Sequence, residues 1–157
     1  MRHYFFDASA VVKLYVAEPG SSAVRDMVRS AVVNPPSSRV FRCDLSLPET
    51  FSALQQIERR PTSARRGMSR SALRTLLPRV RADFMVTSPM SIVRASHCMP
   101  LAADIVERHR LRPADAVQLA AALRLKTLLP LSELQFVSSD EEQCRAAQAE
   151  GLPVVRP

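Results

Sequence analysis

Four acidic residues stand where carboxylates can do chemistry in an α/β protein, at points where apolar strands run out or helices begin. Asp7 closes the apolar run Tyr4-Phe5-Phe6, and Glu49 follows Pro48 in Leu45-Ser46-Leu47-Pro48-Glu49. Asp115 lies in Arg112-Pro113-Ala114-Asp115-Ala116, and Asp140 ends Phe136-Val137-Ser138-Ser139. Singly, each has an ordinary structural explanation. Asp7 reads equally well as a turn acid receiving backbone N–H groups from the helix that follows. Ser46 with Glu49, and Ser139 with Glu142 around Asp140, are spaced as capping boxes. Asp115 falls in a helical first turn, where the macrodipole favours an anion by roughly 0.3 to 1 kcal/mol. Glu141 and Glu142 read the same way, as first-turn acids rather than members of a site.

Taken together the four carry a different implication. Carboxylates gathered at one edge of a parallel sheet repel one another, by an amount that reaches kcal/mol at the effective dielectric of a partly buried site. A hard divalent cation removes that cost. An all-oxygen set without His or Cys suits Mg²⁺ or Mn²⁺ better than Zn²⁺. Such an ion polarises a phosphate ester and lowers the pKa of a bound water.

The elements that must position these acids follow from periodicity and breakers. Residues 4–6 form a strand, and Ala10, Val11, Leu14 and Tyr15 recur at helical spacing until Glu18-Pro19-Gly20-Ser21. A second helix starts at Ser21 or Ser22 and runs through Val33; residues 39–44 form a second strand, and Pro48 suits the first turn of a helix reaching about Arg60. Pro61-Thr62-Ser63 interrupts, and an Arg-rich helix follows to about Leu77, where Pro78 should end or kink it. Met85-Val86-Thr87 is a strand candidate. Helices open at Pro100, reaching about Arg108, and at Pro113, reaching Leu125. Residues 134–138 read as a strand, 140–150 as a helix stopped by Gly151, and 153–155 as a last strand. Strands alternating with helices predict an α/β domain with a mostly parallel sheet covered on both faces, in which sites form beyond the carboxyl ends of the strands.

At 157 residues the chain suits one domain spanning 1–157, and its ordinary globular composition excludes a disordered or low-complexity protein. The apolar stretch at Met1–Phe6 is too short for a signal peptide and no later run suits a membrane span, so a cytoplasmic protein is expected. Cys43, Cys98 and Cys144 are widely spaced without a Cys-x-x-Cys pair, and read as reduced, buried small hydrophobes. The net charge of +7 is localised: Arg59, Arg60, Arg65, Arg66, Arg70, Arg74, Arg79 and Arg81 share a segment without a single Asp or Glu, leaving the rest near neutral. Clustered guanidinium groups point to a polyanion, although a solvated helix face in an Arg-preferring chain gives the same pattern. With no Trp and two Tyr, aromatics for base stacking are scarce and no stacking platform is expected.

The motifs Phe6-Asp7-Ala8-Ser9-Ala10-Val11-Val12-Lys13-Leu14, Leu47-Pro48-Glu49-Thr50 with Ala53-Leu54, Leu111 through Leu123, and Phe136-Val137-Ser138-Ser139-Asp140 with Ala146, Ala147, Gly151 and Leu152 recur in order over nearly the whole chain. In that order and spacing the chain resembles PIN-domain ribonucleases, most closely the VapC-type toxins of prokaryotic toxin-antitoxin pairs. The resemblance implies a three-layer α/β/α PIN-like domain that hydrolyses RNA phosphodiester bonds with Mg²⁺ or Mn²⁺. It implies Asp7 and Asp115 as main ligands, Asp140 helping directly or through water, and Glu49 positioning the metal or the attacking water. Ser9 and Ser138 match the hydroxyl positions near the metal. Arg59, Arg60, Arg65, Arg66 and Arg70 would carry RNA past the acids, or equally hold an acidic partner segment. By analogy a small antitoxin and a homodimer are expected.

Two other classes fit these residues less well. A receiver domain needs paired acids and a lysine after a late strand, and a haloacid-dehalogenase-like phosphatase needs Asp-x-Asp after the first strand; Asp7-Ala8-Ser9 has no second Asp, and Lys126 follows a helix. A non-enzymatic RNA-binding module, with the acids as mere helix caps, is the remaining alternative.

Overall fold

The computed structural model describes residues 2–35, 37–59, 67–85, 89–129 and 133–157. Its elements run β1 (Arg2–Phe6), α1 (Ala8–Val12), α2 (Ser21–Val33), β2 (Ser38–Cys43), α3 (Ser46–Arg59), α4 (Arg70–Met85), β3 (Met90–Val93), a 3₁₀ turn (Ala95–His97), α5 (Met99–His109), α6 (Pro113–Leu128), β4 (Leu134–Val137), α7 (Glu141–Ala149) and β5 (Val154–Val155). The five strands lie in the order β3-β2-β1-β4-β5, every pairing parallel. The chain winds from β1 to β2 and β3 on one side, then returns to place β4 and β5 on the other. The switch point therefore falls between β1 and β4, where the crevice of such a sheet opens beyond the strand ends.

Alternation along the strands divides the core in two. Phe5, Phe41, Cys43 and Phe136 face α5, α6 and α7, with the Phe5 and Phe136 rings stacked at 5.9 Å between centroids. Tyr4, Phe6, Val40, Met90 and Val137 face the layer built from α1, α2, α3 and α4. Helices on both faces of a parallel sheet make a three-layer α/β/α fold. The helix α6 is apolar nearly all round, from Ala116 through Ala122, because it is wedged between the sheet and its neighbours. The three cysteines are free and buried, as the sequence implied. Among the described residues no helix is long and apolar enough to cross a membrane.

Local stop signals operate as anticipated at most boundaries. Pro113 opens α6 in its first turn. At the end of α7, Gly151 takes a left-handed φ of 76°, the Leu152 N–H reaches the Ala147 carbonyl (2.9 Å) and the Gly151 N–H the Gln148 carbonyl (3.0 Å). That pair of bonds closes a helix by satisfying its last carbonyls.

Three expectations are corrected. The first helix ends at Val12, and Leu14 to Val16 continue it only as turns onto the Val11 and Val12 carbonyls. Met85 belongs to α4 and not to a strand; Val86 and Thr87 lie outside the described residues, and the strand comes later, at Met90–Val93. Pro78 does not end the Arg-rich helix, which begins at Arg70 and runs through it to Met85. Leu73, Val80 and Phe84 are buried along one face, and that packing outweighs the missing N–H. Both Pro78 and Arg74, whose carbonyl the ring deprives of a partner, are exposed, so water can serve instead. Pro78→Ala is expected to stabilise the protein by about 1–3 kcal/mol in urea denaturation, since proline in a helix interior costs up to about 3 kcal/mol relative to alanine. A lowered midpoint would show that the ring is needed for packing.

Candidate active site

Asp7 follows β1 directly, and its backbone N–H donates to the Val137 carbonyl at the end of β4 (3.1 Å). The side chain is only 4% exposed. Its Oδ1 accepts the Ala10 N–H (2.8 Å), so Asp7 caps α1, and it also accepts the Ser9 hydroxyl (2.7 Å). Its Oδ2 accepts the hydroxyl of Ser138 (2.7 Å), which arrives from the end of β4. Ser9 Oγ in turn accepts the Ser139 N–H (2.8 Å), and Ser138 Oγ the Asp140 N–H (3.0 Å). The two strand ends flanking the switch point are thus laced together around one carboxylate. Three donors on a group with four acceptor positions leave one lone pair for another partner.

Asp140 caps α7 by accepting the Gln143 N–H (2.9 Å). Asp115 lies in the first turn of α6, and among the described residues nothing hydrogen-bonds its carboxylate. Glu49, in the first turn of α3, accepts Gln118 Nε2 from α6. The expected capping box at Ser46 does not form: Ser46 Oγ donates to Gln118 Oε1 (3.0 Å). The reading of Asp7 as a cap therefore holds; Asp140 is itself the cap of α7, in place of the expected Ser139–Glu142 box; Asp115 lies in a first turn as expected; and Glu49 is bonded to Gln118 and to no cap.

Charge links the four acids in series: Asp115 acts on Asp7 and Glu49, Asp7 on Glu49, and Asp140 on Asp115. Burial pushes the Asp7 carboxyl up to about 6 despite its three donors, and the charge of Asp115 adds to the rise. Burial also lifts Glu49 to about 7, with Gln118 opposing and Asp115 and Asp7 contributing. Asp115 is raised by burial and then by Asp140, with Arg112 opposing and Glu142 adding. Among the described residues no Lys or Arg forms an ion pair with any of the four.

A model of the PIN domain matches residues 4–149. The chain belongs to the PIN-domain family. Members of that family are generally nucleases. No curated protein matches this PIN domain in sequence. Solved structures that share its fold include VapBC2 from Rickettsia felis bound to a DNA fragment from its promoter, and a toxin-antitoxin complex from Klebsiella pneumoniae. The first is 9% identical with a TM-score of 0.62, covering 99% of this chain and 98% of that one. The second is 15% identical with a TM-score of 0.55, covering 97% and 95%.

The donor set of this PIN domain fits a hard divalent cation, being four carboxylates with neither His nor Cys among them. Among the described residues, however, no three His, Cys, Asp or Glu side chains close into a ligand shell by themselves. Asp7 and Asp140 are tethered as caps. A Mg²⁺ ion, which keeps several waters, needs no all-protein cage.

The arginines stand elsewhere. Arg59 and Arg70 are exposed, at the end of α3 and the start of α4; Arg60, Arg65 and Arg66 lie outside the described residues. Ten residues of helix at 1.5 Å each put Arg59 about 15 Å along α3 from Glu49.

Two buried glutamines escaped the sequence reading. Gln118 and Gln143 are each 1% exposed. Gln143 Nε2 donates to the Asp115 carbonyl (3.0 Å), and its Oε1 lies 3.0 Å from Ser138 Oγ. The available signal was a glutamine inside the apolar run Ala116-Val117-Gln118-Leu119-Ala120, where an amide needs a partner.

Raised carboxyl pKa values have a thermodynamic sign. Between the ordinary carboxylate range and the folded values of about 6 and 7, the folded state of Asp7 and Glu49 holds more protons than the unfolded state. Their contribution to stability therefore falls as pH rises from about 4 to about 7. In EDTA, Asp7→Asn is expected to stabilise the protein by on the order of 1–3 kcal/mol at pH 8 and to have little such effect at pH 4, read by urea denaturation. A destabilised variant at pH 8 would show that the carboxylate is satisfied where it stands.

Proposed function

We propose that the protein is a Mg²⁺- or Mn²⁺-dependent endoribonuclease, the toxin of a VapBC-type toxin-antitoxin pair. One observation carries this reading: in a PIN domain, acids from four elements gather at the switch point, where burial and then neighbouring carboxylate charge raise Asp7, Glu49 and Asp115, and among the described residues no Lys or Arg is ion-paired with any of the four. Such an edge is short of positive charge, with Arg112 opposing only at Asp115, and a divalent cation supplies it. When bound, the ion polarises the scissile phosphate and lowers the pKa of a water.

The chain's own residues then divide the work. Asp7, immobilised by Ser9, Ser138 and the Ala10 N–H, is the fixed ligand. Asp115 contributes a carboxylate that no described residue hydrogen-bonds, and Asp140 adds its charge from the start of α7. Glu49, with a pKa of about 7, is suited to position the attacking water and take a proton from it near neutral pH. The arginines Arg59, Arg60, Arg65, Arg66 and Arg70 would hold the RNA backbone. Domain extent, 1–157 as one PIN domain, a cytoplasmic setting, a small antitoxin partner and a homodimer complete the proposal. Toxin-antitoxin complexes among the structures with this fold support the partner.

The non-enzymatic reading has the two caps in its favour. It leaves Glu49 and Asp115 half-buried, with ionisation made harder by that burial, and with no capping role for either side chain.

Mg²⁺ or Mn²⁺ should raise the melting temperature of the wild type, and Asp7→Asn should abolish or shrink that rise. Cleavage of a mixed RNA pool should vanish in EDTA and fall at least about a hundredfold in Asp115→Asn, as for loss of a group acting on the transition state. Activity surviving both treatments would sink the assignment. Replacing Arg65, Arg66 and Arg70 by Ala should lower RNA affinity and reduce the slope of log affinity against log salt by about 2, at roughly 0.7 per phosphate contact on a single strand. An unchanged slope would return the segment to a solvated surface.

A further inference from the structure

Gln118 occupies a position where an apolar side chain would be expected. It lies between buried Val117 and Leu119 on α6 and is itself 1% exposed. A buried amide is costly unless both of its ends are bonded. Here both are: Nε2 donates to Glu49 Oε2, and Oε1 accepts the Ser46 hydroxyl at 3.0 Å. The two ends are not interchangeable. An ionised carboxylate only accepts, so the amide N–H must face Glu49, and Ser46, whose hydroxyl can donate, must take the oxygen.

The spacing adds a second constraint. Gln118 follows Asp115 by three residues on α6, and Glu49 follows Ser46 by three on α3; side chains three apart share a helix face. One helix therefore presents the Asp115 carboxylate directly and holds a second carboxylate, from another helix, through an amide. Neither group touches the other two acids by hydrogen bond. Without Gln118 no described residue would fix where the Glu49 carboxylate lies.

We propose that Gln118 is a positioning residue, which holds Glu49 toward Asp7 and Asp115 and so sets the affinity of the site for a divalent cation. This rests on the metal-site reading above. Residues that orient metal ligands from behind typically contribute about 10- to 100-fold in affinity or activity.

The test uses the full chain and Mn²⁺ alone, with free ion counted by its electron paramagnetic resonance signal. Gln118→Met keeps the shape and removes the donor, and should weaken Mn²⁺ binding by about tenfold or more. In a Glu49→Gln background the same change should cost little further, because the carboxylate it orients is gone. Ser46→Ala, which frees the far end of the amide, should weaken binding in the same direction by a smaller factor. These comparisons separate positioning from damage to the fold, which would lower affinity equally in both backgrounds. Wild-type affinity in Gln118→Met, or equal losses with and without Glu49, would overturn the inference alone. A wild-type protein that binds no Mn²⁺ would overturn the metal-site reading and this inference with it.

Discussion

Burial of carboxylates near one another at one edge of the sheet is the constraint around which this molecule is arranged. Four elements, α1, α3, α6 and α7, begin at that edge, and each brings an acid within its first turn or at its cap. Helix starts offer partial positive charge and free N–H groups, and two of the acids take them directly. Side-chain hydroxyls and amides add further donors. These devices lower the cost without removing it, since Asp7, Glu49 and Asp115 remain harder to ionise than an ordinary carboxyl. The remaining deficit of positive charge is what makes the edge suited to a cation.

The sheet order turns this local chemistry into a site. Because every strand is parallel, all the strand-to-helix turns fall on one side, and the reversal of winding between β1 and β4 sets two of them next to each other. The Ser138 hydroxyl crosses that gap to Asp7, and the Ser139 N–H crosses it to Ser9, whose own hydroxyl bonds the same carboxylate from its own side. Beneath it, the stacked rings of Phe5 and Phe136 join the same two strands through the core. Stability is thus concentrated below the acids and relaxed among them.

Charge separation is the complementary feature. Arg59, at the far end of α3, lies about 15 Å along that helix from Glu49, and among the described residues no arginine forms an ion pair with any of the four acids. Not every arginine belongs to a surface. Arg42, on β2, is fully buried, with its guanidinium 3.4 Å from the centroid of Phe84 and donating to the Asp83 carbonyl at 2.7 Å. There it acts as a packed core group, stabilised by the ring face and not by a phosphate.

The fold class was legible because hydrophobic periodicity and breakers are local: strands at 4–6 and 134–137, Pro113 at a helix start and Gly151 at a helix end all behave as their types require. Asp7, Glu49, Asp115 and Asp140 stood out for the same reason, by falling at element boundaries. Pro78 misled, because its local cost is outweighed by a face of α4 whose contacts lie elsewhere in the chain. The sequence by itself determined which residues are acidic, which elements they begin, and that α6 has an amide in an apolar stretch. Tertiary structure alone decided that Ser46 turns from its cap to an amide 72 residues away, that two serines from opposite ends of the chain converge on Asp7, and that the acids feel one another's charge. Propensity acts over a few residues, whereas burial, hydrogen-bond partners and electrostatic coupling depend on which distant segments the parallel sheet brings side by side.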